Sequence, residues 1–423
     1  MDNFEKVVGY EDIKAELKRF ADVIKNTNKY SSIGVTLPSG LLLSGHPGLG
    51  KTLMAKCFIE EAGCKTFILR KDKPNGDFVK YIRETFEEAK KNSPSIVFLD
   101  DMDKFANEDR MHRDAEEYVT IQSCIDDSKG CGVFVLATVN EKYDLPDSLL
   151  RAGRFDETID VEPPRGKDAE RLIEYFLSKK TMMGNIDMEE LTRLMEGNSC
   201  AEIETVINKA GIYAVFDGRD RIDQGDIVKA CMRMMFESPE CVNPSNNGNT
   251  KSVAIHEAGH AIVAEILEPG SVTLTSVCRH IGQTEGITKV HKREECDLSK
   301  ELYENRIICA LGGKAATEMV LGVADMGCNS DMHRVFDSVA VLVDNNCTLG
   351  FDAFERSSVS NHLLENKDRL ISSEVERYYK CAKKIVAENR EFLDAVISAL
   401  LDHKTVTFRE MQTIREQSIK AQS

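Results

Sequence analysis

Short apolar runs and helical-period stripes alternate along the first third of the chain. Gly40–Gly45, Ser95–Leu99 and Gly132–Thr138 are almost wholly apolar and bounded by Gly, Ser or Asp. Runs of this length read as buried strands, and the stretch Leu53–Ala62 between the first two reads as a helix. Strands alternating with helices predict an α/β module with a parallel sheet covered on both faces, over residues 1–157. From 158 to 237 the pattern turns helical, with Ala169–Leu177 and Ala201–Phe216 as amphipathic segments. Ser238–Thr250 is rich in Pro, Asn, Ser and Gly and reads as a linker. Residues 251–423 read as a mainly α-helical domain. Ser252–Leu267 carries Ala, Ile, Val and Leu at helical spacing without proline, an apolar-periodic stretch runs through Val343, and Glu374–Asn389 and Glu391–Asp402 are late helices. Thr273–Val290 is expected to hold a short hairpin, whose edge would suit strand addition by a peptide.

Composition narrows the class. With 423 residues and 42% hydrophobic content, two or three domains with ample cores are expected. The formal charge of −16 argues against nucleic-acid binding and favours solubility. Thirteen cysteines, odd in number and without CxxC pairing, read as reduced thiols in a cytoplasmic compartment.

Two motifs carry chemistry. Gly45-His46-Pro47-Gly48-Leu49-Gly50-Lys51-Thr52 lies between a predicted strand and a predicted helix. That is the context of a phosphate-binding loop, in which backbone N–H groups face the phosphates, Lys51 reaches the β- and γ-phosphates of ATP and Thr52 binds Mg²⁺. A second strand ends at Asp100, which would hold Mg²⁺ through water, and Asp101 would orient the attacking water. Asp103, read as lying two places further along the same strand, is a second candidate for that task. The third strand leads to Asn140, placed to sense the γ-phosphate, and Arg151 and Arg154 resemble fingers offered to a neighbouring subunit's nucleotide.

The other motif is His256-Glu257-Ala258-Gly259-His260. Histidines at i and i+4 share one helix face and can reach one Zn²⁺, while Glu257 can take a proton from water at the open metal position. Ala258 and Gly259 are small enough for close packing and substrate approach. A third ligand must come from elsewhere. Asp331 is preferred, although spacing alone does not separate it from Glu318 or His333. Together the two motifs imply nucleotide energy coupled to peptide-bond hydrolysis.

On these residues the chain resembles the FtsH family of AAA zinc metalloproteases. The likeness runs from Phe4–Glu11 to about residue 410 and includes Asn198-Ser-Cys-Ala-Glu202, Leu311–Glu318 and Asn329-Ser-Asp331. The resemblance implies an α/β nucleotide-binding module (1–157), a helical lid (158–237) with Ala201 at the nucleotide, a linker (238–250) and a helical zinc protease domain (251–423). It implies Asp331 as third zinc ligand, Glu318 as nearby support, and Arg151 and Arg154 acting in trans in a homo-hexamer that degrades unfolded or tagged proteins.

The departures set further expectations. Members usually begin with transmembrane helices, yet Met1-Asp-Asn-Phe4 opens at the module boundary and no stretch approaches the roughly 18 apolar residues of a span. Membrane association is therefore expected only if upstream segments were removed, and the chain would then sit at the cytoplasmic face. Asp101 stands where the family has Glu. The aromatic pore loop is shortened to Lys73–Tyr81, where Phe78 or Tyr81 would grip substrate or Phe78 would be core. Lys104–Arg113 lacks the family's glycines. The expected activity is an ATP-dependent zinc endopeptidase. The alternatives are a remodeller or scaffold with weak ATPase, and a peptidase with a vestigial nucleotide domain.

Overall fold

The computed structural model of the chain describes residues 3–35, 38–72, 74–106, 115–151, 153–182, 186–235, 249–278, 286–291, 299–323, 327–350 and 361–422. Most of the expected linker, the tip of the hairpin and most of Lys104–Arg113 lie outside them. The chain forms two compact units: Met1–Met188 with Met195–Ala230, and Glu189–Leu194 with Cys231–Ser423.

Up to Met235 the order is α1 (Glu11–Lys25), α2 (Thr27–Ser32), β1 (Gly40–Ser44), α3 (Lys51–Ala62), β2 (Lys65–Leu69), α4 (Asn75–Lys91), β3 (Ser95–Leu99), α5 (Ala115–Asp127), β4 (Val133–Val139), β5 (Glu157–Asp160), α6 (Gly166–Ser178), α7 (Met188–Met195), α8 (Cys200–Phe216) and α9 (Gln224–Met235), all in the first unit except nearly all of α7 and the end of α9, which belong to the second. The five strands form one parallel sheet in the order β2-β3-β4-β1-β5. β1, β3 and β4 are buried along their whole length, as strands covered on both faces must be. Alternate residues go to opposite faces. Leu42, Val97, Leu99, Val135 and Ala137 meet Phe78, Ile82, Phe86 and Ile121 of α4 and α5. Leu41, Leu43, Ile96, Phe98 and Leu136 meet Leu17, Met54, Ala55 and Phe58 of α1 and α3. The edge strands β2 and β5 escaped the sequence pattern because half their residues face solvent.

This arrangement decides Phe78. It is fully buried and its ring packs edge-on against Phe105 at 5.2 Å between centroids. Phe78 is a core residue and cannot grip substrate; Tyr81 packs partly buried against the same cluster.

The second unit continues with α10 (Asn249–Leu267), β6 (Val272–Ser276), β7 (Ile287–Val290), α11 (Lys300–Ala310), α12 (Gly312–Leu321), α13 (Asn329–Asn345), α14 (Asn361–Glu388), α15 (Arg390–His403), β8 (Thr405–Thr407) and α16 (Phe408–Gln422). The expected hairpin is present as antiparallel β6 and β7, and β8 adds a third strand in the order β7-β6-β8. α10 is central and apolar: Ala254, Ile255, Ala258, Ala261, Ile262 and Val263 are all fully buried. At the crossing of α10 and α12, a Cβ on Gly312 would lie 2.5 Å from the Gly259 carbonyl oxygen, so both helices use glycine where they touch. Gly259 therefore serves helix packing and not substrate approach.

Glu318 on α12 is a tie to α14. It accepts from Lys314 at 2.5 Å, from Tyr379, and from Lys383 at 3.1 Å. Burial pushes its carboxyl up, but these donors outweigh burial and hold it at about 2, below its ordinary 4.5. A depressed carboxylate stabilises the fold above its unfolded pKa and loses that contribution as pH falls through the folded value. The Glu318→Gln variant is therefore expected to melt below the wild type at neutral pH, with the gap closing between pH 4.5 and 2. Thermal melts across that range check it; a gap independent of pH would contradict the assignment.

Candidate functional site

The nucleotide loop follows β1. At Gly45 the backbone takes φ +150° and passes so close to the Val161 carbonyl that no side chain fits. His46, Pro47 and Gly48 are exposed at the loop crest, whereas Leu49 turns its side chain into the core and leaves only its backbone to a ligand. Gly50 precedes α3, which starts with Lys51 and Thr52. The lid segment reaches this loop through backbone: Ala201 N–H donates to the Gly48 carbonyl at 3.1 Å. Ser199 and Glu202 form a capping box that fixes the start of α8 there.

Lys51 donates to the carbonyls of Gly45 and His46 (2.9 Å) and to Asn140 Oδ1 (3.1 Å). Burial lowers the pKa of its ammonium, and the charges of Asp101, Asp103 and Asp100 oppose that shift. Asp100 is nearly buried. Its Oδ1 accepts from Thr52 at 3.0 Å and Thr138 at 2.9 Å, and its Oδ2 accepts from Arg70 Nε at 2.8 Å. A lysine, a threonine and a buried carboxylate thus converge at one loop, the donor set that a nucleotide triphosphate with Mg²⁺ requires.

The strand carrying these acids ends earlier than the sequence suggested. β3 stops at Leu99; Asp101 has left-handed backbone (φ 53°, ψ 54°) and Met102–Lys104 form a single 3-10 turn. Asp103 is therefore not on the strand. It accepts from Asn140 Nδ2 at 3.0 Å, and its Oδ1 is buried without a hydrogen bond among the described residues. The Asp101 carboxylate accepts from Lys104 at 2.6 Å. Arg151 is exposed. Arg154 is mostly buried and engaged within the chain, donating to both Asp126 oxygens at 3.2 and 2.7 Å and to the Ser148 carbonyl. Arg154 and Lys129 hold the Asp126 carboxyl at about 2.

In the second unit, α10 presents His256, Glu257 and His260, and α13 presents Asp331 from its first turn. Among the described residues one group can hold a metal ion by proximity: His256, His260 and Asp331, with ligand atoms all within 4.8 Å of one another. His256 Nε2 lies 3.2 Å from Asp331 Oδ2 and 3.0 Å from His260 Nε2. His260 Nδ1 donates to the Cys309 carbonyl at 2.8 Å, which leaves Nε2 its lone pair for a metal. The other Asp331 oxygen accepts from Arg334. Burial pushes the Asp331 carboxyl up, yet the two histidines outweigh it and hold the group far below the carboxylate range. A Cβ on Gly313 would stand 2.5 Å from His260 Nε2 and 2.7 Å from His256 Nε2, so α12 passes directly over the ligand atoms. Two imidazoles and one carboxylate fit Zn²⁺ with one position left open. His333, the neighbour of Met332, is exposed, and Glu318 is held by α12 and α14 as described; neither joins the cluster.

Glu257 is nearly buried and accepts from Thr288 Oγ1 of β7 at 2.7 Å. Gly286 lies against it, since a Cβ there would meet Glu257 Oε1 at 2.8 Å. These residues line a cleft of about 1460 Å³ with apolar walls that include Leu302, Ile307 and Val335. Thr288, Arg334, the Cys309 carbonyl and Arg70 went unnoticed in the sequence. None lies in a motif, and only tertiary packing brings them to their sites.

Residues 41–163 match the ATPase family associated with various cellular activities (AAA), and residues 245–414 match peptidase family M41. The chain is 30% identical to ATP-dependent zinc metalloprotease FtsH 2 of Symbiobacterium thermophilum, covering 97% of this chain and 74% of the relative. It is 28% identical to FtsH 2 of Thermoanaerobacter sp., covering 98% and 83%, and 28% identical to FtsH of Ureaplasma parvum, covering 98% of this chain and 60% of that relative. Among the described residues no helix is long and apolar enough to cross a membrane. With a phosphate loop followed by a His-His-Asp centre, and likeness along nearly its whole length, the chain belongs to the FtsH family of ATP-dependent zinc metalloproteases.

Proposed function

We propose that the chain works as a homo-hexameric, ATP-driven endopeptidase that degrades unfolded or tagged proteins in the cytoplasm, or at the cytoplasmic face of a membrane if it is part of an anchored protein. The observation that carries the reading is the His256–His260–Asp331 cluster with Glu257 beside it, in a chain that also holds the Lys51 loop. Zn²⁺, ATP and Mg²⁺ are its cofactors. Zn²⁺ supplies Lewis acidity and lowers the pKa of water. Glu257 takes the proton, Thr288 fixes the orientation of its carboxylate, and the cleft receives the peptide beside them. β7 is an edge strand next to Glu257, so an extended peptide added to it would lie along the cleft.

Casein hydrolysis with and without ATP tests the reading. ATP-dependent cleavage supports it; a remodeller or scaffold would leave casein intact, and a peptidase with a vestigial nucleotide module would cleave equally without ATP. His256→Ala, His260→Ala and Asp331→Ala are expected to lose both zinc and cleavage. Glu257→Gln is expected to keep zinc and lose cleavage. Arg334→Ala should weaken zinc affinity roughly 10- to 100-fold, the usual effect of removing a ligand's outer partner, measured by chelator competition.

Arg151 is proposed as the finger for the adjacent subunit, because it is exposed while Arg154 is held by Asp126. Arg151→Ala should bind nucleotide normally and hydrolyse it on the order of 10³-fold more slowly. Mixing Lys51→Ala and Arg151→Ala subunits should restore part of the ATPase rate. Full hydrolysis by a demonstrated monomer would reject the trans role.

Asp101 is proposed as the water-orienting acid, one methylene shorter than the family's Glu and tethered to Lys104. A misplaced catalytic group costs on the order of 10²-fold. Asp101→Glu is expected to raise steady-state ATPase and Asp101→Asn to lower it; an unchanged or lower rate for Asp101→Glu would show that this position does not limit turnover.

A further inference from the structure

The Mg²⁺-binding acid already has a cationic partner of its own. β2 and β3 run parallel in a register that sets Leu69 beside Leu99, so the next residues, Arg70 and Asp100, emerge side by side. The Asp100 N–H donates to the Leu69 carbonyl at 3.1 Å and holds the two strand ends together. Asp100 Oδ1 is committed to Thr52 and Thr138, which leaves Oδ2 as its open oxygen. Arg70 takes that oxygen with both Nε, at 2.8 Å, and Nη2. The following residue, Lys71, stands 3.8 Å from the buried Glu117, which anchors the chain just beyond Arg70.

The same carboxylate is the one a nucleotide-bound Mg²⁺ uses together with Thr52. A guanidinium and a Mg²⁺ held at the same carboxylate, even with water between the ion and the acid, repel, and the repulsion is strong where bulk water is scarce. Asp100 is 5% exposed, so screening by solvent is small on its side. Arg70 is 56% exposed and can leave toward water without opening a hole in the core. A carboxylate buried this far without a counter-charge would be costly, so the guanidinium also stabilises Asp100 whenever Mg²⁺ is absent.

We propose that Arg70 and Mg²⁺ occupy Asp100 in exchange, so that Arg70 sets the Mg²⁺ concentration at which nucleotide is held tightly. Arg70 is a positioning residue in this account: it acts through Asp100 and does not touch the reacting phosphate. The inference rests on the nucleotide site described above.

The test is binding and not turnover. The full chain, freed of divalent ions with EDTA, is mixed with a fluorescent ADP analogue, and anisotropy is followed as MgCl₂ is added. Competing sites are coupled by factors of roughly 5 to 150. Arg70→Gln is expected to lower the Mg²⁺ midpoint at least about fivefold, and Arg70→Lys, which keeps the charge but loses the fork, should fall between. Binding of the analogue in EDTA should be alike in all three proteins. Equal Mg²⁺ midpoints with intact nucleotide binding would overturn the exchange alone. Weaker binding of Arg70→Gln in EDTA would overturn it too, since the guanidinium would then be holding phosphate. A wild-type chain that binds no nucleotide at any Mg²⁺ concentration would instead remove the nucleotide reading on which the inference stands.

Discussion

Each functional centre depends on one carboxylate that is almost removed from water. Asp100 is 5% exposed and Asp331 is 7% exposed. A buried negative charge is tolerable only when hydrogen bonds and cations surround it. That requirement organises the neighbourhood of both residues. Around Asp100 it recruits Thr52, Thr138 and Arg70 from the ends of three different elements. Around Asp331 it recruits two imidazoles on one oxygen and Arg334 on the other. In both cases the two oxygens take different partners, with a guanidinium on one and uncharged or imidazole groups on the other. The geometry that makes these acids costly in an apolar interior also orients them for a metal.

Backbone proximity is the second constraint. Two of the three candidate zinc ligands sit on α10, whose apolar residues are fully buried, and α12 crosses it with glycine against glycine. Gly312 meets Gly259, and Gly313 lies over both histidine rings. Any larger residue at these points would separate the helices and push the imidazoles from their common focus. The nucleotide loop shows the same economy of space at Gly45, pressed against the Val161 carbonyl. Glycine in a helix costs about 1 kcal/mol relative to alanine, which a tight helix crossing offsets through burial. The motifs thus contain both the groups that do the chemistry and the small residues that let the scaffold close around them.

Local signals were strong where chemistry and burial coincide. β1, β3 and β4 were legible because strands covered on both faces are apolar throughout. The edge strands β2 and β5 were not, because a half-exposed strand of four or five residues has too little pattern to distinguish it from a loop. The histidines and the phosphate loop were legible because fixed spacing on a helix or turn dictates their convergence. Phe78 was ambiguous for a related reason: an aromatic residue has the same sequence signature whether it fills a core or faces substrate, and only its contact with Phe105 decides.

By itself the sequence determined the order of the two modules and marked the two candidate His ligands, the proposed general base and the proposed phosphate loop, because each depends on residues within a few positions of one another. Tertiary structure decided what depends on distant segments meeting. It brought Asp331, and not Glu318 or His333, to the two histidines by setting the first turn of α13 against α10, while Glu318 was drawn to α14. It took Asp103 off the strand and gave it to Asn140, and it committed Arg154 to Asp126. It also placed Arg70 on Asp100, through a strand register that no local pattern encodes. Spacing along a chain fixes neighbours on one element; which elements become neighbours is set by the packing of their apolar faces.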